Sequence, residues 1–252
     1  MNKLIFSPLL FLFLAGAFLQ TFAQSPLKFG IAMGSTLPLG QFKSYQNIKY
    51  DAGFAQQGFT LTFDGDYYLH NRFALTGRFH FGSAPINKNE GYNWTKSVLG
   101  EYFNDDSLIF SAGYWQWSAP LVGAKYNYPI IINKFYIEAG VYSGLNISTI
   151  PTLYMEIIDT KNKRTIFSQN LSKTNYSVPL MADLALRLEI NKQIQFKIQA
   201  GYYSTKSHHK HVSYYVNENS TSLNEEINNI DHNIKIEALS FSAGLIYTFT
   251  TP

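Results

Sequence analysis

The chain contains no cysteine. This absence excludes a disulfide-stapled scaffold, a thiolate metal site and a lipoprotein anchored through an N-terminal cysteine. Charged residues are also scarce, at 15%, and the formal net charge is only +3. A charge balance this close to neutral gives no general attraction for nucleic acid. We therefore expect no nucleic-acid partner, and no motif in the sequence indicates a cofactor.

Long apolar runs are also absent after residue 23, because Gly, Ser, Lys or Glu interrupts each apolar stretch within a few residues. No segment there can form a transmembrane helix, which needs about 20 apolar residues. Before that point, an apolar run at 9–19 precedes Thr21 and Ala23, which supply small residues at positions −3 and −1 of a cleavage site. This pattern predicts a cleaved signal peptide at 1–23 and a single mature domain at 24–252.

Aromatic residues, in contrast, are abundant: the chain has 20 Phe, 18 Tyr and 3 Trp. Such residues favour β-strands and the interfacial girdles of membrane barrels. The clearest strand covers 239–249, where apolar or aromatic residues alternate with mostly small or polar ones. A period of two with one apolar face and one polar face indicates a strand between two different environments.

The same alternation predicts seven further strands. The eight predicted strands cover 27–37, 58–67, 73–82, part of 111–128, 135–147, 178–190, 194–202 and a segment ending at 249. Connections after the second, fourth and sixth strands are short, and the long ones cover 38–57, 83–110, 148–175 and 204–233. Short turns at one end and long loops at the other are typical of outer-membrane barrels. We predict an all-β, eight-stranded antiparallel up-and-down transmembrane barrel with short periplasmic turns, long extracellular loops and both termini in the periplasm.

A soluble barrel of the lipocalin kind, with an apolar interior and a polar exterior, is the structural alternative. The transmembrane form is favoured because the less apolar face is rich in Gly and Ala, which suit a narrow filled lumen. The sequence also shows no helical 3.6-residue period.

The fourth strand is irregular. Its apolar residues are odd-numbered from Trp115 to Leu121 and even-numbered from Val122 to Tyr128. We expect a β-bulge beside Pro120 to produce this change of face.

Two segments carry a resemblance to a known family. Residues 118–126 read SAPLVGAKY and 135–142 read FYIEAGVY. They resemble the x-x-P-L-L-x-K-Y and Y-I-x-A-G-P strands of the porin-family outer-membrane β-barrel proteins of Bacteroidetes, which are related in architecture to OmpA/OmpX-type small barrels. The segment 34–40 is similar too. The resemblance implies an outer-membrane barrel of a Gram-negative cell but no particular activity, since the family's members have diverse roles.

Charges of both signs lie on the polar faces of the predicted strands. Because an eight-stranded barrel has an interior just wide enough for side chains, we expect these charges to pair across the lumen. The predicted lumen network consists of Asp64, Asp66, Arg78, His80, Glu138, Asp183, Arg187, Glu189 and Lys197. Glu237 on the last strand is expected to face the lumen as well. A proton or ion path through the same residues is the alternative.

Candidates for catalysis, metal binding and modification are weak. His208 and His211 offer two imidazoles without an adjacent carboxylate, so a solvated loop is expected rather than a metal site. His80 and Ser83 lie near a strand end without a third residue to orient them, so we predict no enzyme. The Asp-Ser-Leu sequence at Ser107 matches a short O-glycosylation signal of Bacteroidetes.

The third long loop contains the strongest candidate for a partner site. Two apolar arms flank a polar tip and predict a hairpin at about 152–168. The predicted partner-binding residues are Tyr154, Met155, Ile157, Ile158, Ile166 and Phe167. Exposed strand edges and apolar patches invite partners. The same pattern also fits two barrel strands that continue above the membrane and pack on neighbouring loops.

These observations predict a non-enzymatic barrel of the outer membrane that acts as a structural or partner-binding protein through its extracellular loops. The expected partners are outer-membrane lipids, lipopolysaccharide and other outer-membrane proteins. Two alternatives stay open. One is an accessory subunit of a larger outer-membrane secretion, assembly or uptake complex, and the other is a lipid-modifying enzyme active at the barrel rim.

Overall fold

The structure, a computed structural model, describes residues 27–44, 53–70, 72–99, 108–131, 134–159, 164–170, 174–217 and 228–249. The predicted signal peptide at 1–23 and Ser107 lie outside this part of the chain. The described elements are, in chain order, β1 (Leu27–Pro38), α1 (Gly40–Lys43), β2 (Gly58–His70), β3 (Phe73–Pro85), α2 (Lys88–Leu99), β4 (Leu108–Ala112), β5 (Tyr114–Ile131), β6 (Phe135–Gly144), β7 (Asn146–Thr149), β8 (Leu153–Asp159), β9 (Arg164–Asn170), β10 (Thr174–Ser177), β11 (Pro179–Glu189), β12 (Ile194–Asn217) and β13 (Asn228–Thr248).

Eight of these strands form a closed ring in the order β1–β2–β3–β5–β6–β11–β12–β13. The ring closes because β1 pairs with β13 as well as with β2, and all neighbouring strands are antiparallel. The predicted eight-stranded up-and-down barrel is therefore confirmed. A closed ring has no free edge, so the ladder can satisfy the backbone groups of the wall without water.

The outer face of the wall is apolar. Along β13, Phe241 and Leu245 are about half exposed, whereas Ser240 and Ser242 between the outward positions are buried. The outward residues from 239 to 249 span about 34 Å along the strand. Because barrel strands are tilted by about 45°, this length corresponds to a height close to the apolar band of about 25 Å. The lipocalin alternative, which requires the opposite arrangement of faces, is wrong.

Among the described residues, no helix has the length and apolarity needed to span a bilayer.

The two ends of the barrel differ, as predicted. At the short-turn end, strands are joined by a few residues, for example from β2 to β3 and from β11 to β12. At the long-loop end, β12 continues to Asn217 and β13 begins at Asn228, so most of the predicted loop at 204–233 is instead an extended strand pair. The helices α1 and α2 lie in two other long connections, although the sequence showed no helical period.

The expected bulge beside Pro120 is wrong. β5 pairs with β3 in one unbroken register on both sides of Pro120, and odd-numbered residues such as Trp115 and Lys125 face inward along the strand. A register shift occurs instead near the short-turn end, between Pro129 and Ile131. The physical reason is that part of the lumen is itself apolar, so an apolar parity does not identify the outward face.

Candidate functional site

The lumen is filled by two layers of side chains, a charged layer toward the short-turn end and an aromatic layer toward the long-loop end. The charged layer consists of Asp64, Asp66, Arg78, Lys125, Glu138, Asp183, Arg187 and Lys197, all buried. Its four acidic and four basic groups cancel in formal charge. A neutral, internally paired layer reduces the large desolvation cost of burying eight ionised side chains.

Asp64 on β2 is the acidic centre of this layer. Its carboxylate lies 2.6 Å from Arg78 Nε, 3.0 Å from Lys125 Nζ and 2.7 Å from Lys197 Nζ. Arg78 is the direct cross-strand neighbour of Asp64 on β3, so pairing register alone brings these two together. The two lysines reach the same carboxylate from β5 and β12, so that, with Arg78 on β3, three strands are tied to β2.

Lys125 on β5 is the basic centre. Its ammonium group lies 2.8 Å from Asp66 Oδ1, 3.0 Å from Asp64 Oδ2 and 3.5 Å from Glu138 Oε1. Three carboxylates on two strands therefore share one lysine. Lys125 was not among the predicted lumen residues, although the outward parity of Val122 and Tyr128 on the same strand already placed it on the inward face.

Two guanidinium groups extend the network to β11 and β6. Arg78 Nη1 lies 2.5 Å from Asp183 Oδ2, and the arginine stacks 3.9 Å from the ring centre of Tyr142. Arg187 Nη1 lies 2.7 Å from Glu138 Oε2 and donates a hydrogen bond to the Tyr68 hydroxyl at 2.8 Å. Planar guanidinium groups satisfy several acceptors at once, which fixes the side chains that line the lumen.

The aromatic layer closes the barrel above the charges. Tyr203 stacks on His80 with ring centres 5.2 Å apart and on Trp117 at 6.2 Å. Phe42 of α1 inserts from above and meets Trp115 edge-on at 5.4 Å and Trp117 at 5.7 Å. Offset and edge-to-face contacts of this kind add to the free energy gained from burial alone.

The segment that carries Phe42 is held in the mouth of the barrel by hydrogen bonds to backbone carbonyls. Leu39 N–H donates to the carbonyl of Glu237 at 2.8 Å, and Trp115 Nε1 donates to the carbonyl of Gly53 at 2.7 Å. Gly40, with a φ of +51°, begins the short turn of helix that points Phe42 inward. The first long connection therefore contributes Phe42 to the aromatic layer that closes the lumen.

The predicted lumen network is largely brought together, with three differences. His80 faces the lumen but belongs to the aromatic layer, where it stacks on Tyr203. Glu189 lies nearer the short-turn end and accepts a hydrogen bond from Tyr136 at 3.4 Å. The expectation that Glu237 faces the lumen is wrong, because its strand neighbours Ile236 and Ala238 are the buried residues.

The pairs considered for chemistry are not assembled as a catalytic site. His80 is buried in the lumen, whereas Ser83 lies at an odd, outward position of the same strand, so the two side chains are on opposite faces. His208 lies on β12 and not in a loop, and its Nδ1 is 2.7 Å from Asn233 Oδ1. The side chain of His211 lies outside the described part of the molecule.

The predicted hairpin forms in the backbone. β8 and β9 pair from Tyr154↔Gln169 to Asp159↔Arg164, and the tip at 160–163 is outside the described residues. β8 also pairs with β4, and β9 pairs with the extension of β12. A sheet in the order β13–β12–β9–β8–β4 therefore continues from the wall, and both outer edges of the hairpin are occupied. The side chains of the predicted partner-binding residues are not among those described.

No family model matches the chain, and no curated protein matches it. Solved structures with a similar chain path include a major outer membrane protein from Thermus thermophilus, with 10% identity, 88% of this chain and 99% of that chain covered, and a TM-score of 0.45. The outer membrane protein OprG from Pseudomonas aeruginosa has 11% identity, coverages of 90% and 96%, and a TM-score of 0.43. The outer membrane protease OmpT from Escherichia coli has 9% identity, coverages of 90% and 97%, and a TM-score of 0.44.

Similarity of this extent carries no inference about activity, since one fold hosts many functions. The resemblance to the porin family of Bacteroidetes stays a prediction.

Proposed function

We propose that this protein is a non-enzymatic integral barrel of the outer membrane that acts as a structural or partner-binding protein. In this proposal the short turns and both termini lie in the periplasm, and the long-loop end lies outside the cell. The filled lumen carries the proposal. A barrel whose interior is occupied by paired charges and a capping aromatic layer has no open path, so its outer wall and its long-loop end are the surfaces left for function.

The outer wall supports membrane residence. Large apolar side chains are exposed around the ring, including Val122, Val141, Leu184 and Phe241. A continuous apolar exterior of this extent is unfavourable in water and suits hydrocarbon. Outer-membrane lipids and lipopolysaccharide are accordingly the first partners that we propose.

A role as accessory subunit of a larger outer-membrane complex is the second candidate, and β4 favours it. β4 (Leu108–Ala112) pairs with β8 through one edge, and no strand occupies its other edge among the described residues. Ile109 on this strand is exposed. An extended segment of another outer-membrane protein can add to such an edge through backbone hydrogen bonds. The rim-active lipid enzyme has no such support, since His80 and Ser83 face opposite sides.

Location and orientation can be tested together in cells. An epitope inserted at 160–163 should be labelled on intact cells, whereas one inserted at 191–193 should be labelled only after permeabilisation. The protein should also stay in the membrane after carbonate washing and migrate differently on a gel before and after boiling. Reversed labelling would contradict the orientation, and recovery in the soluble periplasmic fraction would contradict the integral barrel.

A further inference from the structure

Two lysines are direct neighbours on the outer wall. Lys206 on β12 and Lys235 on β13 are register partners. Both point outward, because Ser207 next to Lys206, and Ile234 and Ile236 on either side of Lys235, are buried. Residues in direct cross-strand register have Cβ atoms about 4.5–5.5 Å apart, and two like charges so placed repel each other.

The carboxylate of Glu237 lies beside this pair of lysines. Glu237 Oε1 lies 2.6 Å from Lys235 Nζ, and the same oxygen accepts a hydrogen bond from the Tyr202 hydroxyl at 2.6 Å. Lys206 is exposed and forms no ion pair with the acidic groups of the described residues. The cluster of Lys206, Lys235 and Glu237 therefore carries a net formal charge of +1.

The cluster lies just above the apolar band. Below it, Leu239 and half-exposed Phe241 face outward on β13. Tyr202, the register partner of Leu239, faces outward on β12. Lys235 is four positions beyond Leu239, which is about 13 Å along the strand and about 10 Å in height after tilt. Lipid headgroups lie directly above the hydrocarbon, and the flexible lysine stem allows the ammonium group to reach them.

We propose that Lys206 and Lys235 hold the phosphate group of an anionic membrane lipid, whose acyl chains lie along the apolar wall below. The inference rests on the proposed function, because it requires the barrel to be in a membrane. The phosphate balances the excess positive charge of the lysine pair. Leu239 and Phe241 provide an apolar contact for the acyl chains, which a free anion does not have. The expected ligand is a phosphorylated lipid of the leaflet at the long-loop end.

The experiment uses the purified full chain in detergent, with a bisphosphorylated lipid A as the probe and its dephosphorylated form as the comparison. Native mass spectrometry measures the fraction of protein that retains each lipid. The wild type should retain the phosphorylated form preferentially. The double variant K206Q/K235Q should lower that retention about 10- to 30-fold, since each lysine near a membrane contributes to anionic lipid binding.

Matched variants distinguish binding at this site from a general effect of positive charge. E237Q should increase retention, because it removes the carboxylate that competes with the phosphate for Lys235. K206R/K235R should keep retention, and K134Q/K192Q, which removes two exposed lysines at the short-turn end, should leave it unchanged. Equal retention by wild type and K206Q/K235Q would overturn the inference, as would an equal loss in K134Q/K192Q.

Inorganic phosphate in large excess should not displace the lipid. Displacement by phosphate alone would indicate a site for free anions and would overturn the assignment to a lipid. Each variant is checked for heat-modifiable migration on a gel. Absence of that migration in the wild type would contradict the proposed barrel function, whereas loss of lipid selectivity in a heat-modifiable barrel would contradict only the inference made here.

Discussion

Asp64 and Lys197 form an ion pair of 2.7 Å between residues that are 133 positions apart in the sequence. Asp64 lies on β2 and Lys197 on β12, and these strands are separated in the wall by β1 and β13. The pair therefore crosses the lumen and does not run along the wall. With Arg78 and Lys125 on the same carboxylate, it closes the interior at the level of the charged layer.

The closed interior predicts that the wild-type protein has negligible steady conductance in planar bilayers. Ions would have to displace paired, buried charges that hold one another in place. The variant F42A, which opens the aromatic layer, should stay non-conducting because the charged layer beneath it is intact. Stable and reproducible channels in the wild type would show that the lumen is open and would favour a porin function.

Removing the basic centre of the charged layer should strongly destabilise the barrel. In K125M, Asp66 and Glu138 lose an ammonium group that lies 2.8 Å and 3.5 Å away. Breaking a buried ion pair from one side typically costs about 3–5 kcal/mol, because an uncompensated charge stays buried. Urea titration of the barrel in lipid vesicles, followed by heat-modifiable migration, measures this loss.

Two further variants test whether charge is the cause. K125M/D66N should recover part of the loss, since the second change removes one of the unpaired carboxylates. K192M alters an exposed lysine in a short turn and should leave the free energy of unfolding unchanged. If K125M were as stable as the wild type, the charged layer would not contribute to the stability of the barrel.

The sequence predicted the wall well because strand alternation is a local property. Every wall strand was found, and Asp64, Arg78, Glu138, Asp183 and Arg187 face inward as their parity required. Alternation repeats within each strand, so a short window is enough to read it. Pairing partners across the lumen were not predicted one by one, because they depend on the register of strands far apart in the chain.

The error at Pro120 has a physical cause. Apolar parity does not identify the outward face here, because Trp115, Trp117 and Leu121 are buried inside the barrel. The expected bulge at Pro120 followed from placing these residues on the outer face. The omission of Lys125 is separate, because the outward parity of Val122 and Tyr128 already placed this residue on the inward face. The error at Glu237 is different, because there a charged residue lies on the outer face just beyond the apolar band.

Two glycines of β3 should respond to alanine in opposite ways. A Cβ on Gly82 would lie 2.1 Å from the ring of Trp117, its cross-strand neighbour in the aromatic layer, whereas a Cβ on Gly77 would meet nothing within 4 Å. G82A should therefore lower the free energy of unfolding by about 1–3 kcal/mol through overpacking. G77A should leave it unchanged or raise it by about 0.4–1 kcal/mol, because alanine restricts the unfolded chain.

Unfolding in urea, with tryptophan fluorescence as the signal, distinguishes the two glycine variants. Both substitutions add one methyl group to the same strand, so a general effect of alanine on strand formation would appear in both. Equal stability of G82A and G77A would mean that the aromatic layer is loosely packed, and closure of the lumen would then depend on the charged layer alone.

The last prediction concerns the hairpin formed by β8 and β9. Replacing 154–166 by a short Gly/Ser turn removes most of β8 and the first part of β9, and with them the strand that pairs with β4. The barrel ring does not include these strands, so membrane insertion and heat-modifiable migration should be unchanged. Because loops held by a rigid scaffold carry most specific contacts, any protein partner captured by the wild type should be lost.

A matched replacement of the short turn at 191–193 should keep that partner, since this turn is at the other end of the barrel. Retention of the partner by the hairpin variant would show that the contact is made elsewhere, for instance by the outer wall. Failure of the hairpin variant to assemble would give the sheet above the barrel a role in folding and would contradict its assignment to docking.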